Sequence, residues 1–322
     1  MDPLDFWKKY KLLASTKDFV SEPRSPRVCR FCHADEGVTS FQMRAHVLPE
    51  LMGANDIFTF EECDSCNQKF SAYESHMAVF FRPYLTTVGV KGKKKIPEFH
   101  SRAAEDNTKA IFRYKDDRTR EFILNNPDDY NVDEKNRKAS ITFRLQPHRP
   151  RNVYKGLLKI ALSILPTQSR DRYRNLFDWL MDRSADVTYL PSAFITVLQK
   201  KKFNTPYAEL LEARQVIAEK SFVPELTLIV RFANIIIQIF LPLSHEFDYD
   251  ASRGKSPTLH LFPGFIFNID FEEAKRTQEV HYSFAQIDLQ LDKSVSYDQT
   301  IDITFERLDR DIELTNGDHP IF

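Results

Sequence analysis

All four cysteines of the chain lie between residues 29 and 66, as two C-x-x-C pairs, Cys29/Cys32 and Cys63/Cys66. A C-x-x-C turn offers two thiolates to one ion, and two such turns complete the tetrahedron that Zn2+ prefers. No cysteine is left over, so the pattern predicts a structural zinc site with every position filled by protein. His33 follows Cys32 directly and is an alternative to one thiolate. About thirty residues separate the pairs, more than a zinc-ribbon loop needs, so a structural unit must sit between them. That unit contains one histidine, His46, followed by VLPE. A histidine can take a proton from water near neutral pH, which is the work of a general base. On its own it is more readily a partly buried histidine packing beside a zinc knuckle.

The elements that would position these side chains are legible in outline. TSFQMRAHVLP reads as a strand ending at His46, ELMGAND as a turn, and IFTFEEC as a second strand. SCNQKFSAYESHMAVFF has helical periodicity, with Cys66, Phe70, Tyr73 and Met77 on one stripe. RPYLTTVGVKGKKKIPEF is expected to leave the helix. Residues 1–20 read as a short helix, with Asp2 as cap and Phe6, Tyr10 and Leu13 at helical spacing, and SEPRSPR as a proline-broken connector. Beyond residue 100, KAIFRY, REFIL and ASITFRLQ read as strands, with NNPDDYN as a polar turn. RNVYKGLLKIALSIL reads as an amphipathic helix, and SRDRYRNLFDWLMDR as a second one capped by Ser169. PELTLIVRF and IIIQIFLPL form a hairpin turning at Ala233–Asn234, and TLHLFPGFIF, VHYSFAQIDLQL and QTIDITFERL are further strands. This half is therefore α+β with a mostly antiparallel sheet. The expected division is an N-terminal helix and connector (1–26), a zinc-bound unit (27–100) and a larger α+β domain (101–322).

The order strand, histidine, loop, strand, then a helix opening at C-x-x-C-N resembles the HNH nuclease family in its zinc-containing ββα-metal form. The matching residues are Cys29, Cys32, His46 with VLPE, Gly53, Asn55 and CDSCN ending at Asn67. The resemblance covers residues 27 to about 80. It implies a metal-dependent endonuclease that hydrolyses phosphodiester bonds of DNA with low sequence specificity. It assigns His46 as general base, Asn55 as the residue pinning the loop that orients it, and Asn67 as ligand of a catalytic Mg2+ or Mn2+. Many family members carry an acid just before the histidine, where this chain has Ala45. Glu50 and Glu74 are the candidate replacements as second ligand of that ion. Asp64 lies close to Asn67 in sequence, and His76 is expected on the opposite helix face.

Net charge is −1, so a polyanion must be held by a local basic patch and not by bulk charge. Arg30, Arg44 and Lys69 flank the expected site. Lys91, Lys93, Lys94 and Lys95 form a basic run suited to phosphate contacts or to plain solvation. No apolar run reaches the roughly 20 residues a membrane span needs, and the N-terminus lacks signal-peptide order, so a cytoplasmic protein with no membrane partner is expected. Residues 101–322 carry no catalytic motif. An unrestrained nuclease would damage its own cell, so a sensor, a self-association module or a dock for a regulatory protein is expected there. At the level of architecture this is similar to prokaryotic antiviral effectors. The competing expectation is an HNH-like zinc module that has lost catalysis, marked by Ala45, and serves as a nucleic-acid-binding or scaffold protein. An RNA nuclease is a third.

Overall fold

The computed structural model describes residues 3–23, 25–92, 95–102, 110–116, 119–124, 126–183, 187, 190–198, 202–214, 223–243, 258–262, 282–305 and 307–308. The chain enters as helix α1 (Pro3–Lys9) and strand β1 (Tyr10–Ser15). A two-residue ladder follows, β2 (Ala45–His46) with β3 (Phe58–Thr59), and then the long helix α2 (Asp64–Thr87). Next come β4 (Phe99–His100), β5 (Ile111–Tyr114), β6 (Arg120–Ile123), β7 (Tyr130–Asp133) and β8 (Lys138–Arg144). Helices α3 (Pro150–Ile164) and α4 (Arg174–Leu180) precede β9 (Ser192–Leu198), β10 (Tyr207–Ala213), β11 (Leu226–Phe232), β12 (Ile235–Phe240), β13 (Tyr282–Asp288) and β14 (Asp298–Thr304). Every strand pairing among the described residues is antiparallel. The class is α+β, with four α-helices among those residues.

The largest sheet has the order β1-β10-β11-β12-β9-β13. β11 and β12 are buried along their whole length, which a sheet covered on both faces requires. Alternation divides their side chains. Leu228, Val230, Ile235 and Ile237 join the core that contains α2 and α3, whereas Ile229, Ile236 and Phe240 join Phe6, Tyr10 and Phe262 on the other face. The hairpin turns at Ala233, which takes a positive φ of 51°, and Asn234.

Helix α3 lies across this sheet and against α2. At their crossing a Cβ on Gly156 would meet Met77 Sδ at 2.1 Å, so glycine is what lets the two helices close. One continuous apolar core runs from Cys29, Phe31, Val47 and Leu48 through α2 and α3 into β11 and β12. The unit carrying the cysteines is thus packed on the antiparallel half.

Several local expectations give way to tertiary contacts. The N-terminal helix stops at Lys9, and Tyr10–Ser15 instead pairs with β10, with Tyr10 facing Ala213. The open backbone edge of β10 outweighs a weak helical pattern. Helix α2 continues through Pro83 to Thr87, because Phe80, Phe81, Tyr84 and Leu85 are all buried and offset the lost hydrogen bond. NNPDDYN is a single 3-10 turn, Pro127–Asp129, that leads straight into β7. Helix α4 starts at Arg174 and not after Ser169, which belongs to a separate 3-10 turn. Residues 258–262 form no strand, and the rest of TLHLFPGFIF lies outside the described residues, as does Asp2 as a cap.

Candidate functional site

The two cysteine turns meet. Cys29 and Cys66 Sγ are 3.7 Å apart, Cys32 and Cys63 Sγ 3.6 Å, and all four sulfurs lie within 4.8 Å of one another. A tetrahedron of Zn–S bonds near 2.3 Å has edges of about 3.8 Å, so this spacing fits one zinc ion. It is far too long for disulfides, which need about 2.05 Å, and the cysteines are free. Their electrostatics also call for a cation. The contact with Cys66 holds the Cys29 thiol down to about 4. Burial pushes Cys32 up to about 11, and Cys29 pushes Cys66 up as well. Four thiolates cannot coexist in this volume without positive charge at their centre. His33 sits at a φ of 64° just past the first turn and is not among the gathered ligands.

The cysteine centre fastens a short hairpin to the start of α2. Ala45 pairs with Thr59 and His46 with Phe58. Side chains alternate along a strand, so Ala45 is buried while Arg44 and His46 share the other face. The Phe58 and His46 ring centroids are 4.3 Å apart, and the Arg44 guanidinium lies 5.4 Å from the Phe58 ring centroid. The intervening loop is pinned by Asn55. Its amide donates to Leu48 O (3.3 Å) and Gly53 O (3.1 Å), and its Oδ1 accepts from Ile57 N (3.3 Å). Gly53 takes a φ of 124° that suits glycine alone.

A cleft of about 670 Å³ opens beside this hairpin, and Arg44, His46, Glu50, Asn67 and Glu74 all line it. Glu50 Oε1 is 3.4 Å from His46 Nε2, whereas His46 Nδ1 is buried without a hydrogen-bond partner. Burial pushes the Glu74 carboxyl above its ordinary value; Lys159 and His46 oppose the shift and Glu50 adds to it. Among the described residues the cysteines are the only group of three or more His, Cys, Asp or Glu side chains with donor atoms within 4.8 Å, so His46, Glu50 and Glu74 do not converge that closely. Asp64 is committed elsewhere, accepting from Ser40 Oγ (2.6 Å), Gln42 N (3.1 Å) and Met43 N (2.8 Å). His76 accepts from Arg149 N at 3.1 Å, away from the cleft.

Three of the expected phosphate contacts have partners within the protein. Arg30 is 5% exposed and donates to the last carbonyls of α3, those of Leu162, Ser163 and Leu165, while pairing with Glu61 at 2.8 Å. A cation at a helix C-terminus satisfies carbonyls that have no helical partner, so Arg30 clamps the cysteine unit to the end of α3. Lys69 donates to Met181 O (2.7 Å) and pairs with Asp182 (3.0 Å). Lys95 is exposed and pairs with Glu98 at 3.4 Å; Lys93 and Lys94 lie outside the described residues.

Two residues outside the expected site matter here. Lys159 of α3 is 2% exposed and donates to the His46 carbonyl, and its ammonium is 3.2 Å from Glu62, which is fully buried. A larger half of the chain thereby holds the strand that carries His46. The signal was present as two lysines, Lys155 and Lys159, inside an otherwise apolar helical stretch.

No family model, curated protein or solved structure matches the chain. Fold and site define an α+β chain with a four-thiol centre fit for zinc beside a cleft that holds an imidazole, two carboxylates and an amide. No helix among the described residues is long and apolar enough to cross a membrane.

Proposed function

We propose that the chain is a metal-dependent endonuclease of HNH type, acting on DNA with weak sequence preference and controlled by its antiparallel half. The observation that carries this reading is the shared cleft, where His46 at the end of β2 and Asn67 in the first turn of α2 face one space beside the cysteine centre. In this reading His46 takes a proton from water through Nε2, the nitrogen in the cleft, and the resulting hydroxide attacks phosphorus. The P–O bond to the leaving oxygen breaks, and that oxygen is protonated by water. Glu50 at 3.4 Å steadies the imidazolium. Arg44, exposed at the cleft with no carboxylate paired to it among the described residues, meets the phosphate. Asn67, with Glu50 or Glu74, would hold a Mg2+ or Mn2+ ion, which supplies charge stabilisation at the phosphate oxygens. Few protein ligands suit such an ion, which keeps several waters. Zn2+ at the cysteines is structural.

A plasmid-nicking assay tests the proposal. Wild type with Mg2+ or Mn2+ is expected to nick, chelation to stop it, and His46→Ala to abolish it with zinc content retained. The buried Ala45 and the lack, among the described residues, of three converging carboxylate or imidazole ligands favour one rival, an inactive nucleic-acid-binding module. Salt-sensitive DNA binding with no cleavage under any divalent metal or candidate activator would decide for that rival.

A further inference from the structure

A second cleft, of about 830 Å³, adjoins the first. The two share His46, Glu50, Leu51 and Phe58, so they are two ends of one groove. Helix α2 lines both. Asn67, Ser71, Glu74, Ser75 and Ala78 border the first end, and Arg82 and Leu85 continue the same face into the second. From residue 67 to residue 82 the helix rises about 22 Å. The far wall of the second end comes from elsewhere in the chain: Lys17 just after β1, and Pro206 and Tyr207 at the start of β10. The Lys17 ammonium rests 4.2 Å over the Tyr207 ring.

Arg82 is the anomaly in this groove. Its side chain is half-buried, and burial lowers its pKa. Yet it has no hydrogen bond and no ion pair among the described residues, and Asp56 in the same cleft does not reach it. A guanidinium that has lost water and gained no anion is an energetic cost in the protein alone. Lys91, exposed at the same rim, is likewise unpaired among the described residues. Both face a groove that leads to His46.

We infer that Arg82, with Lys91 and Lys17 at the rim, grips the phosphate backbone of the nucleic acid several nucleotides from the scissile bond, in a channel whose outer wall is the antiparallel half. The inference rests on the nuclease reading and adds its second point of attachment. At the 3.4 Å rise of a duplex, about 22 Å corresponds to roughly six base pairs, so only duplexes longer than that engage both ends.

Fluorescence anisotropy on the zinc-loaded full chain, with Mg2+ omitted so that nothing is cut, separates the two claims. Hairpin duplexes with stems of about 16 and about 5 base pairs are the probes. Arg82→Gln is expected to weaken the longer one on the order of tenfold and to flatten the salt dependence of log K by about 0.7 to 1. Lys91→Gln is expected to act in the same direction to a smaller extent, and both deficits are expected to be confined to the longer probe. Equal affinity and salt slope for wild type and both variants, with wild type binding and cutting, would overturn the groove inference alone. A wild type that binds neither probe would overturn the nuclease reading and the inference with it. If Arg82→Gln fails to fold, Lys91→Gln on the exposed rim and the length dependence of wild type decide, and no gain in affinity from the longer probe overturns the inference.

Discussion

The buried Lys159–Glu62 pair offers the sharpest test of how the two halves are joined. Replacing Lys159 by Met keeps the bulk of the side chain and deletes its ammonium. The side chains are 2% and 0% exposed, so solvent screening gives no reason to discount the effect. Glu62 would be left as a buried carboxylate facing no cation, which costs about 3–5 kcal/mol. Unfolding entropy of about 2.1 cal/mol/K per residue makes 1 kcal/mol worth about 1.5 °C for a chain of this length, so melting should fall by about 4–8 °C. The double variant Glu62→Gln/Lys159→Met removes both charges and should recover most of that loss. The pH dependence has a definite sign. Burial already raises the Glu62 carboxyl, with Lys159 opposing the shift. A group whose folded pKa is raised contributes stability that is present at low pH and lost as pH rises through the folded value. Without Lys159 the rise is larger, so the deficit of Lys159→Met should be smaller at about pH 5 than at about pH 8. Because the same ammonium holds the His46 carbonyl, cleavage should fall as well. Thermal melts of the zinc-loaded chain read the result. A loss under about 1 kcal/mol with no pH dependence, or a double variant as unstable as the single, would refute the pairing as described.

Other outcomes follow from the same contacts. The chain should carry one zinc per molecule by elemental analysis, and Cys63→Ser should lose both the metal and several kcal/mol, since thiolate–zinc binding is folding energy; a metal-free chain that melts like the loaded one would contradict this. Asn55→Ala deletes three hydrogen bonds that shape the loop after His46 and should cost about 1–2 kcal/mol, with a fall in nicking larger than the fall in zinc content. Burial pushes the Asp182 carboxyl up, but Lys155 and Lys69 outweigh that and hold it below its ordinary value. A depressed carboxyl contributes stability above its unfolded pKa and loses it as pH falls through the folded one. The stability gap between wild type and Asp182→Asn should therefore be widest near neutral pH and close under acid. Asn tolerates the φ of 58° at this position, and the half-exposed site limits the gap to under about 1 kcal/mol. Equal gaps at both pH values in denaturant titrations would dismiss that account.

Much of the site could be read from residue types alone. The cysteine spacing predicts a four-sulfur centre, and the sulfurs do gather. The stripe Cys66, Phe70, Tyr73 and Met77 predicts the buried face of α2, and all four are buried. The hairpin turn at Ala233–Asn234 falls where the two β-branched apolar runs meet. Cations were the poorest guide. Arg30 sits between two cysteines in a polar stretch, and nothing local reveals that the end of α3, 132 residues away for the Leu162 carbonyl, takes its guanidinium. Arg82 opens the segment expected to leave the helix, yet it lies within α2, and whether it reaches a cleft depends on which face α2 turns to β10.

What this chain determines by itself is therefore short-ranged: a metal frame, set by thiol chemistry and spacing, and elements set by hydrophobic period. Which charges remain free to meet an anion was decided only by tertiary packing. Burial penalises every ion, and the folded chain alone determines which cations find a carboxylate or a helix end, as Arg30, Lys69 and Lys159 do, and which, like Arg82, are left facing an open groove.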